Sequence, residues 1–400
     1  MSQRYQGGVL GVGFNPLQAP NAPTIGTATA GGSNCASVTF TAPANVGGSA
    51  ITGYTARSDP TGYSGAAAGS PITVSGLTTS TSYTFGIFAL NTYGPSPISA
   101  FSNSITAVVD GTFAIFALGF GLSSSQTTRD KYTYSGDVVS VGSAATAASY
   151  VGSAAGNSTV GIFALGCAGT PTGARDKYTY VGCVVSAGGA ATPTAAQNGS
   201  ATGNSTVGIF ALGRVSGVGS ITRNKYTYSG DVVGAATAAT TASWIGSAAG
   251  NSTVGIFALG YTACFTRITT RDKYTYSGDV VSAGGAATAA STCGSAAGNS
   301  TVGIFALGAT SSGDVTTRNK YTYSGCVVSA GGAATAASGG GSAAGNSTVG
   351  IFALGGIACI ATTTRNKYTY SGCVVSAGGA ATAGSRYGSA ASNGILGITL

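Results

Sequence analysis

Apolar residues in this chain come in short runs, set in sequence rich in Gly, Ala, Ser and Thr. In the first hundred residues the runs alternate with polar positions, as in Ala36-Ser37-Val38-Thr39-Phe40, Ile72-Thr73-Val74 and Tyr83-Thr84-Phe85. Alternation sends every second side chain to one face, the pattern of a half-buried strand. Several such strands, about 8–12 residues apart, predict an antiparallel sandwich. From residue 111 the pattern changes. Val160 to Leu165 is apolar or small on both faces, which predicts a strand covered on both sides. In Arg175 to Tyr180, Tyr178 and Tyr180 share a face with Asp176, and Arg175, Lys177 and Thr179 share the other. A third strand starts at Val184-Val185, and Gly199-Ser200-Ala201-Thr202 makes a weak fourth.

This second region copies itself. Ile-Phe-Ala-Leu-Gly begins at Ile115, Ile162, Ile209, Ile256, Ile304 and Ile351, in steps of 47 or 48 residues. Arg-(Asp/Asn)-Lys-Tyr-Thr-Tyr begins at Arg129, Arg175, Arg223, Arg271, Arg318 and Arg365. A period of about 40–50 residues suits a four-stranded propeller blade. The tail from Gly388 to Ile398 resembles the segment before each Ile-Phe-Ala-Leu-Gly and reads as a partial seventh copy. The fold predicted is all-β, a sandwich followed by a six-bladed propeller, with the tail closing against the strand near Phe113–Phe116. A stacked β-solenoid competes. It ranks lower because its coils are shorter and its end coils should differ from the middle.

Residues 17–109 resemble a fibronectin type III domain of the kind found in phage and bacterial surface proteins. The resemblance rests on Ala19-Pro20-Asn21-Ala22-Pro23, Ala36 to Pro43, Gly48 to Tyr54, Ile72 to Leu77, Thr81 to Phe85 and Asn91 to Pro97. It implies a tyrosine corner at Tyr83. The Trp common in such domains is absent, and Phe40 and Tyr54 are expected to fill that core. Residues 1–16 are Gly-rich and read as an anchoring arm. Residues 110–400 resemble the kelch-like propeller repeats of bacteriophage structural proteins. They mostly carry one Gly rather than two and have no repeated Trp, so the likeness is architectural and brings no kelch partner with it.

Composition narrows the chemistry. The 400 residues include no His, and all nine acids are Asp. Ser-His-Asp and Cys-His catalysis and His-ligated metals are therefore excluded. Glycoside cleavage would need clustered carboxylates, and only Asp314 lies in a variable loop. No enzyme activity, cofactor or metal is expected. The start, Met1 to Gly8, lacks a basic segment followed by an apolar one, so no secretory leader is expected. No apolar run is long enough to cross a membrane.

The net charge of +8 invites a nucleic-acid reading. However, 12 of the 17 basic residues sit in the six Arg-X-Lys triplets, interleaved with Asp130, Asp176 and Asp272. Each Arg is expected to bond loop carbonyls or the neighbouring blade, and no nucleic-acid partner is expected. The Asn-Ser-Thr triplets at Asn157, Asn204, Asn251, Asn299 and Asn346 read as turns rather than glycosylation sites. The cysteines read mainly as free thiols, with Cys264–Cys293 the more plausible pair; Cys183, Cys326 and Cys373 replace the Asp of Asp137, Asp231 and Asp279.

Two stretches vary between otherwise constant copies. One follows Ile-Phe-Ala-Leu-Gly, and the other precedes Gly-Ser-Ala. In an up-and-down blade, connections alternate between two ends, so both variable stretches fall on one end and both constant turns on the other. Loops displayed on a rigid scaffold are where binding concentrates. Trp244, Tyr150, Tyr387, Arg386, Tyr261, Phe265 and Arg267 are the candidate contacts, because aromatic and Arg side chains dominate interface hot spots. The competing reading is neutral drift in exposed loops. The function expected is a phage virion structural protein, as fibre, tail or head decoration, assembled in the host cytoplasm. Its N-terminal region would contact other virion proteins. Its propeller would attach to a host-surface glycan or protein, gaining avidity through copies on the particle or as a homo-oligomer. The alternatives are a bacterial extracellular adhesin or filament subunit and, further off, a propeller polysaccharide-degrading enzyme.

Overall fold

The computed structural model describes residues 17–31, 35–78, 81–107, 113–180, 183–192, 196–262, 265–357 and 360–393. The 1–16 arm, Cys264, Cys359 and residues 394–400 of the partial seventh copy lie outside the described residues. Regular structure is all β, apart from short 3-10 turns. The chain divides into two compact units, Met1–Asp110 and Gly111–Leu400.

The first unit contains β1 (Thr24–Gly31), β2 (Cys35–Thr41), β3 (Gly53–Asp59), β4 (Ser64–Ala67), β5 (Ile72–Val74), β6 (Ser82–Asn91), β7 (Gly94–Pro95) and β8 (Ile105–Thr106). One sheet has the order β1-β2-β5 and the other β4-β3-β6-β7, with β8 also on β6. The alternating positions Val38, Ile72, Val74, Phe85 and Ile87 meet in one fully buried core. Phe40 and Tyr54 are both buried, with ring centroids 4.6 Å apart. The Tyr83 hydroxyl accepts the Thr78 backbone N–H at 3.2 Å, the bond that defines a tyrosine corner.

Along β6, Pro95 and Pro97 prevent a regular ladder because they lack an N–H. Serines at every third position replace it. Ser96, Ser99 and Ser102 donate their N–H groups to Ala89, Ile87 and Phe85 carbonyls. Their hydroxyls accept the N–H groups of the same three residues.

The second unit holds six four-stranded antiparallel sheets. Sheet two is typical, with strands in the order Ser153–Gly156, Val160–Ala164, Arg175–Thr179 and Val184–Gly188. The weak strand at the end of each sequence copy therefore joins the next sheet as its first strand. Sheet one takes its first strand from the tail, where Ser389–Ser392 pairs antiparallel with Phe113–Ala117.

Side chains link each sheet to the next. Arg129, Arg175, Arg223, Arg271, Arg318 and Arg365 are almost wholly buried. Each guanidinium lies 4.5–4.7 Å from the ring of a Phe in the following sheet: Phe163, Phe210, Phe257, Phe305, Phe352 and Phe116 in turn. Each Nη2 donates to the X position of the following triplet. Arg129–Asp176, Arg223–Asp272 and Arg365–Asp130 are ion pairs of 2.7–2.8 Å. Arg175–Asn224, Arg271–Asn319 and Arg318–Asn366 are hydrogen bonds of 3.0–3.1 Å. Each Nη1 faces a loop carbonyl on its own side, Ala144 in the case of Arg129. Sheet six thus contacts sheet one as sheet one contacts sheet two.

The first strand of each sheet approaches the next sheet so closely that it leaves no room for larger side chains. A Cβ on Gly208 would lie 3.0 Å from the Cβ of Ala155 in the preceding sheet and 2.9 Å from the Tyr228 hydroxyl. At the constant end, Asn157 Oδ1 accepts the N–H groups of Thr159 and Val160, and its Nδ2 donates to the Ser205 carbonyl of the next copy. The Asn-Ser-Thr triplet is a turn locked to its neighbour.

Candidate functional site

The two variable stretches meet at one end of the sheets. The residue just after Ile-Phe-Ala-Leu-Gly bridges to the second variable stretch of the preceding copy. The six pairs are Tyr150 with Cys167, Gln197 with Arg214, Trp244 with Tyr261, Thr292 with Ala309, Gly339 with Gly356, and Arg386 with Phe120. Each pair carries different side chains on the same backbone frame.

One residue further along is a ring of backbone hydrogen bonds. Asn198 N donates to Val151 O, Ile245 N to Asn198 O, Cys293 N to Ile245 O, Gly340 N to Cys293 O, Tyr387 N to Gly340 O, and Val151 N to Tyr387 O. The six distances run from 2.6 to 3.3 Å. All six residues have left-handed backbones, φ 53–68°. That conformation is costly for the β-branched Val151 and Ile245, of order 1–3 kcal/mol each. The ring bonds and the glycine that follows each residue hold it. In the third of these, Gly246, a Cβ would sit 2.1 Å from the Ala258 carbonyl oxygen.

The expected contact residues fall into two groups. Trp244 and Tyr261 face each other across their pair, with ring centroids 5.1 Å apart. Phe265 packs edge-on against Trp244 at 5.3 Å and is itself 64% exposed. Arg267 lies 5.1 Å from the Tyr261 ring centroid. Arg214 lies 4.8 Å from the centroid of Trp244 and is fixed by a 3.0 Å bond from Nε to the Gly217 carbonyl. The platform therefore has three aromatic rings and two guanidinium groups, drawn from the loops of sheets three and four.

The second group is Tyr150, Arg386 and Tyr387, gathered around Phe120. Phe120 contacts Tyr150 edge-on at 5.4 Å. The Arg386 guanidinium lies 5.6 Å from the Phe120 ring and 5.5 Å from that of Tyr387. Hydrogen bonding to the Cys167 thiol, with its negative form nearby, raises the Tyr150 phenol above its ordinary pKa. Arg214 and Phe120 were not singled out from the sequence. Their offset from Ile-Phe-Ala-Leu-Gly is the same as that of Tyr261, and that register was the available signal.

The six Arg of the Arg-X-Lys triplets are buried and form no surface. Burial drives their guanidinium pKa values down. Where the partner is Asn, at Arg175, Arg271 and Arg318, the value falls to about 10. An Asp partner opposes that fall at Arg129, Arg223 and Arg365. Cys293 is a free thiol, and its suggested partner Cys264 lies outside the described residues. Among the described residues, no group of three or more Cys or Asp is placed to hold a metal ion.

No protein-family model matches the chain, and no curated protein matches it. Among solved structures it is similar to a multidomain fragment of titin, with 28% identity and a TM-score of 0.21. That likeness covers 22% of this chain and 32% of the fragment, so the chain spans about a third of it. It is also similar to YjhT, with 11% identity and a TM-score of 0.48, over 63% of this chain and 93% of that one. Neither likeness is close enough to fix an architecture or a function.

Proposed function

We propose that the chain is a recognition module. In this reading the first unit is a fibronectin type III-like sandwich, and the six sheets are blades of a kelch-like propeller whose variable end binds a surface glycan or protein. The succession of Arg–Asp and Arg–Asn contacts from sheet six back to sheet one supports a closed propeller, as does the tail strand pairing with Phe113–Ala117. The observation that carries the function is the Trp244–Tyr261–Phe265 platform flanked by Arg214 and Arg267. Exposed aromatic faces stack on apolar faces of sugar rings or on partner side chains, and the guanidinium groups supply directional donors. No charge relay accompanies them, which favours binding over catalysis. The setting inferred is a phage virion, following the resemblance of both units to phage structural proteins. A bacterial surface adhesin is the second reading.

Two measurements test this. Mass spectrometry of purified phage particles should detect the chain; its presence only in bacterial surface fractions would favour the adhesin. Trp244→Ala should reduce adsorption of the purified protein to host cells while the melting temperature stays unchanged. Equal adsorption would remove Trp244 from the site.

A further inference from the structure

The lysines of the six triplets do not all meet the same partner. At three sheet interfaces a Lys of one sheet meets an Asp of the next: Lys177–Asp231, Lys225–Asp279 and Lys367–Asp137 are ion pairs of 2.8–3.0 Å. A buried tyrosine from the Asp's own sheet, Tyr226, Tyr274 or Tyr132, donates its hydroxyl to the same carboxylate at 2.6–2.8 Å. At the other three interfaces Cys183, Cys326 or Cys373 stands where the Asp would be. These cysteines share the Asp backbone, with φ 54–55° against 52–55°, so each thiol takes the carboxylate's position. By register the facing lysines are Lys131, Lys273 and Lys320. Among the described residues none of these three has an ion pair. Lys131 instead lies 4.2 Å from the Phe113 ring centroid. The tyrosine hydroxyls are left short as well. That of Tyr178, on a wholly buried side chain, has the Cys183 thiol and Ser143 beside it and meets neither at hydrogen-bonding geometry. Those of Tyr321 and Tyr368 lie beside the Cys326 and Cys373 thiols and accept long 3.4 Å bonds from the Gly285 and Gly332 N–H groups.

We propose that Cys183, Cys326 and Cys373 are oxidation sites, which hydrogen peroxide converts to cysteine sulfinate. Sulfinate has the charge and branching of the Asp side chain: a Cβ, then one atom bearing two oxygens that share a negative charge. It completes at these three interfaces the Lys–acid–Tyr cluster that Asp makes at the others. Each thiol consumes two equivalents of peroxide. In the first step sulfur attacks a peroxide oxygen, an S–O bond forms, the O–O bond breaks, and the thiol proton leaves with the departing oxygen as water. The second step repeats this on the sulfenic acid, whose hydroxyl proton leaves with a second water, and the resulting sulfinic acid releases its proton to solvent. Each step takes two electrons from sulfur and reduces one peroxide. Peroxide has access, because the three cysteines are half-buried and the matching Asp side chains are 32–35% exposed. The product accepts charge-assisted bonds from the Lys ammonium and the tyrosine hydroxyl, where the thiol offers only a weak acceptor.

The test treats the full chain with hydrogen peroxide and reads peptide masses and the melting temperature. Peptides holding Cys183, Cys326 and Cys373 should gain two oxygens each while the buried Cys167 stays unmodified. The oxidised protein should melt higher by about 2 °C or more, the scale of three partly exposed ion pairs gained. A variant with Cys183→Asp, Cys326→Asp and Cys373→Asp should show the same rise without peroxide and no further rise with it. A variant with Lys131→Met, Lys273→Met and Lys320→Met should still be oxidised at the three cysteines but lose the rise, which separates the ion pairs from a general effect of oxidation. The proposal is overturned if the three thiols are not carried to sulfinate, if either the oxidised or the triple-Asp protein melts no higher than the untreated one, or if the rise survives loss of the lysines.

Discussion

At the scale of single residues, the Arg-X-Lys triplets carry most of the net charge. The six triplets contribute 12 basic side chains, but only three have Asp at the middle position. The other three offer a buried Arg the neutral carbonyl of Asn224, Asn319 or Asn366. A buried charge held by a neutral acceptor is worth less than one held by a carboxylate. Asn319→Asp should therefore stabilise the protein by about 1 kcal/mol. Thr288, whose hydroxyl now accepts from Asn319 Nδ2 at 2.7 Å, can turn to donate, as Thr146 already does to Asp176. A raised melting temperature is the expected result, and a lowered one would show that the neutral partner is preferred.

The sequence signalled that these arginines were structural, because the Arg and Lys of the triplet never varied while the loops did. It did not reveal the partner, since Arg129 and Asp176 are 47 residues apart and meet only when two sheets pack. The same holds at the site. Trp244, Tyr261, Phe265 and Arg267 were legible as candidates from residue type and variability, but their convergence was not. Arg214 and Phe120 meet the same test of residue type and loop position, and their register across copies with Tyr261 was the further signal that marks them.

At the scale of strands, the pattern of apolar positions located the two central strands of the repeat to within a residue, whereas β6 runs on to Asn91, well past the expected Tyr83–Phe85. Val160–Ala164 and Arg175–Thr179 each end one residue short of the expected strand. The weak Gly-Ser-Ala segment was the least legible, because small residues read equally well as loop. Its place follows from packing: small residues let the first strand of one sheet approach the second strand of the next as Ala155 and Gly208 do. Gly208→Val should cost about 1–3 kcal/mol through overpacking, read from a denaturant titration. An unchanged midpoint would mean the sheets are not pressed together there. The left-handed ring had no sequence signal at all, since Val, Asn, Ile, Cys, Gly and Tyr share no property at that position.

At the scale of the whole second unit, the tail matters most. Residues Ser389–Ser392 complete sheet one, pairing with residues 272 to 278 positions earlier in the chain. Deleting Gly388–Leu400 should leave Phe113–Ala117 with an open edge and lower the unfolding midpoint of this unit sharply. A truncated chain that melts like the full one would argue against a tail-closed arrangement.

Alkaline pH should act on the same unit. Burial raises the phenols of Tyr132, Tyr134, Tyr178, Tyr180, Tyr226, Tyr228, Tyr274, Tyr276, Tyr321, Tyr323, Tyr368 and Tyr370. Each adds stability that is intact below the unfolded value of about 10 and is lost as pH rises through its higher native value. Arg175, Arg271 and Arg318, pushed down to about 10, work in the opposite sense, since the native state releases their protons first. Arg129, Arg223 and Arg365 are lowered too, but twelve tyrosines outweigh six arginines, so stability should fall above about pH 10. A flat melting temperature across that range would contradict this burial.

The central claim is that divergent loops brought to one end of a repetitive scaffold recognise a molecular surface through the Trp244 platform. The most direct measurement is glycan-array binding of the full chain beside a Trp244→Ala, Tyr261→Ala double variant of equal melting temperature. The account predicts that the intact protein retains a defined set of glycans and the variant loses them. If both retain the same glycans equally, or the intact protein retains none, the platform is not a glycan-recognition site.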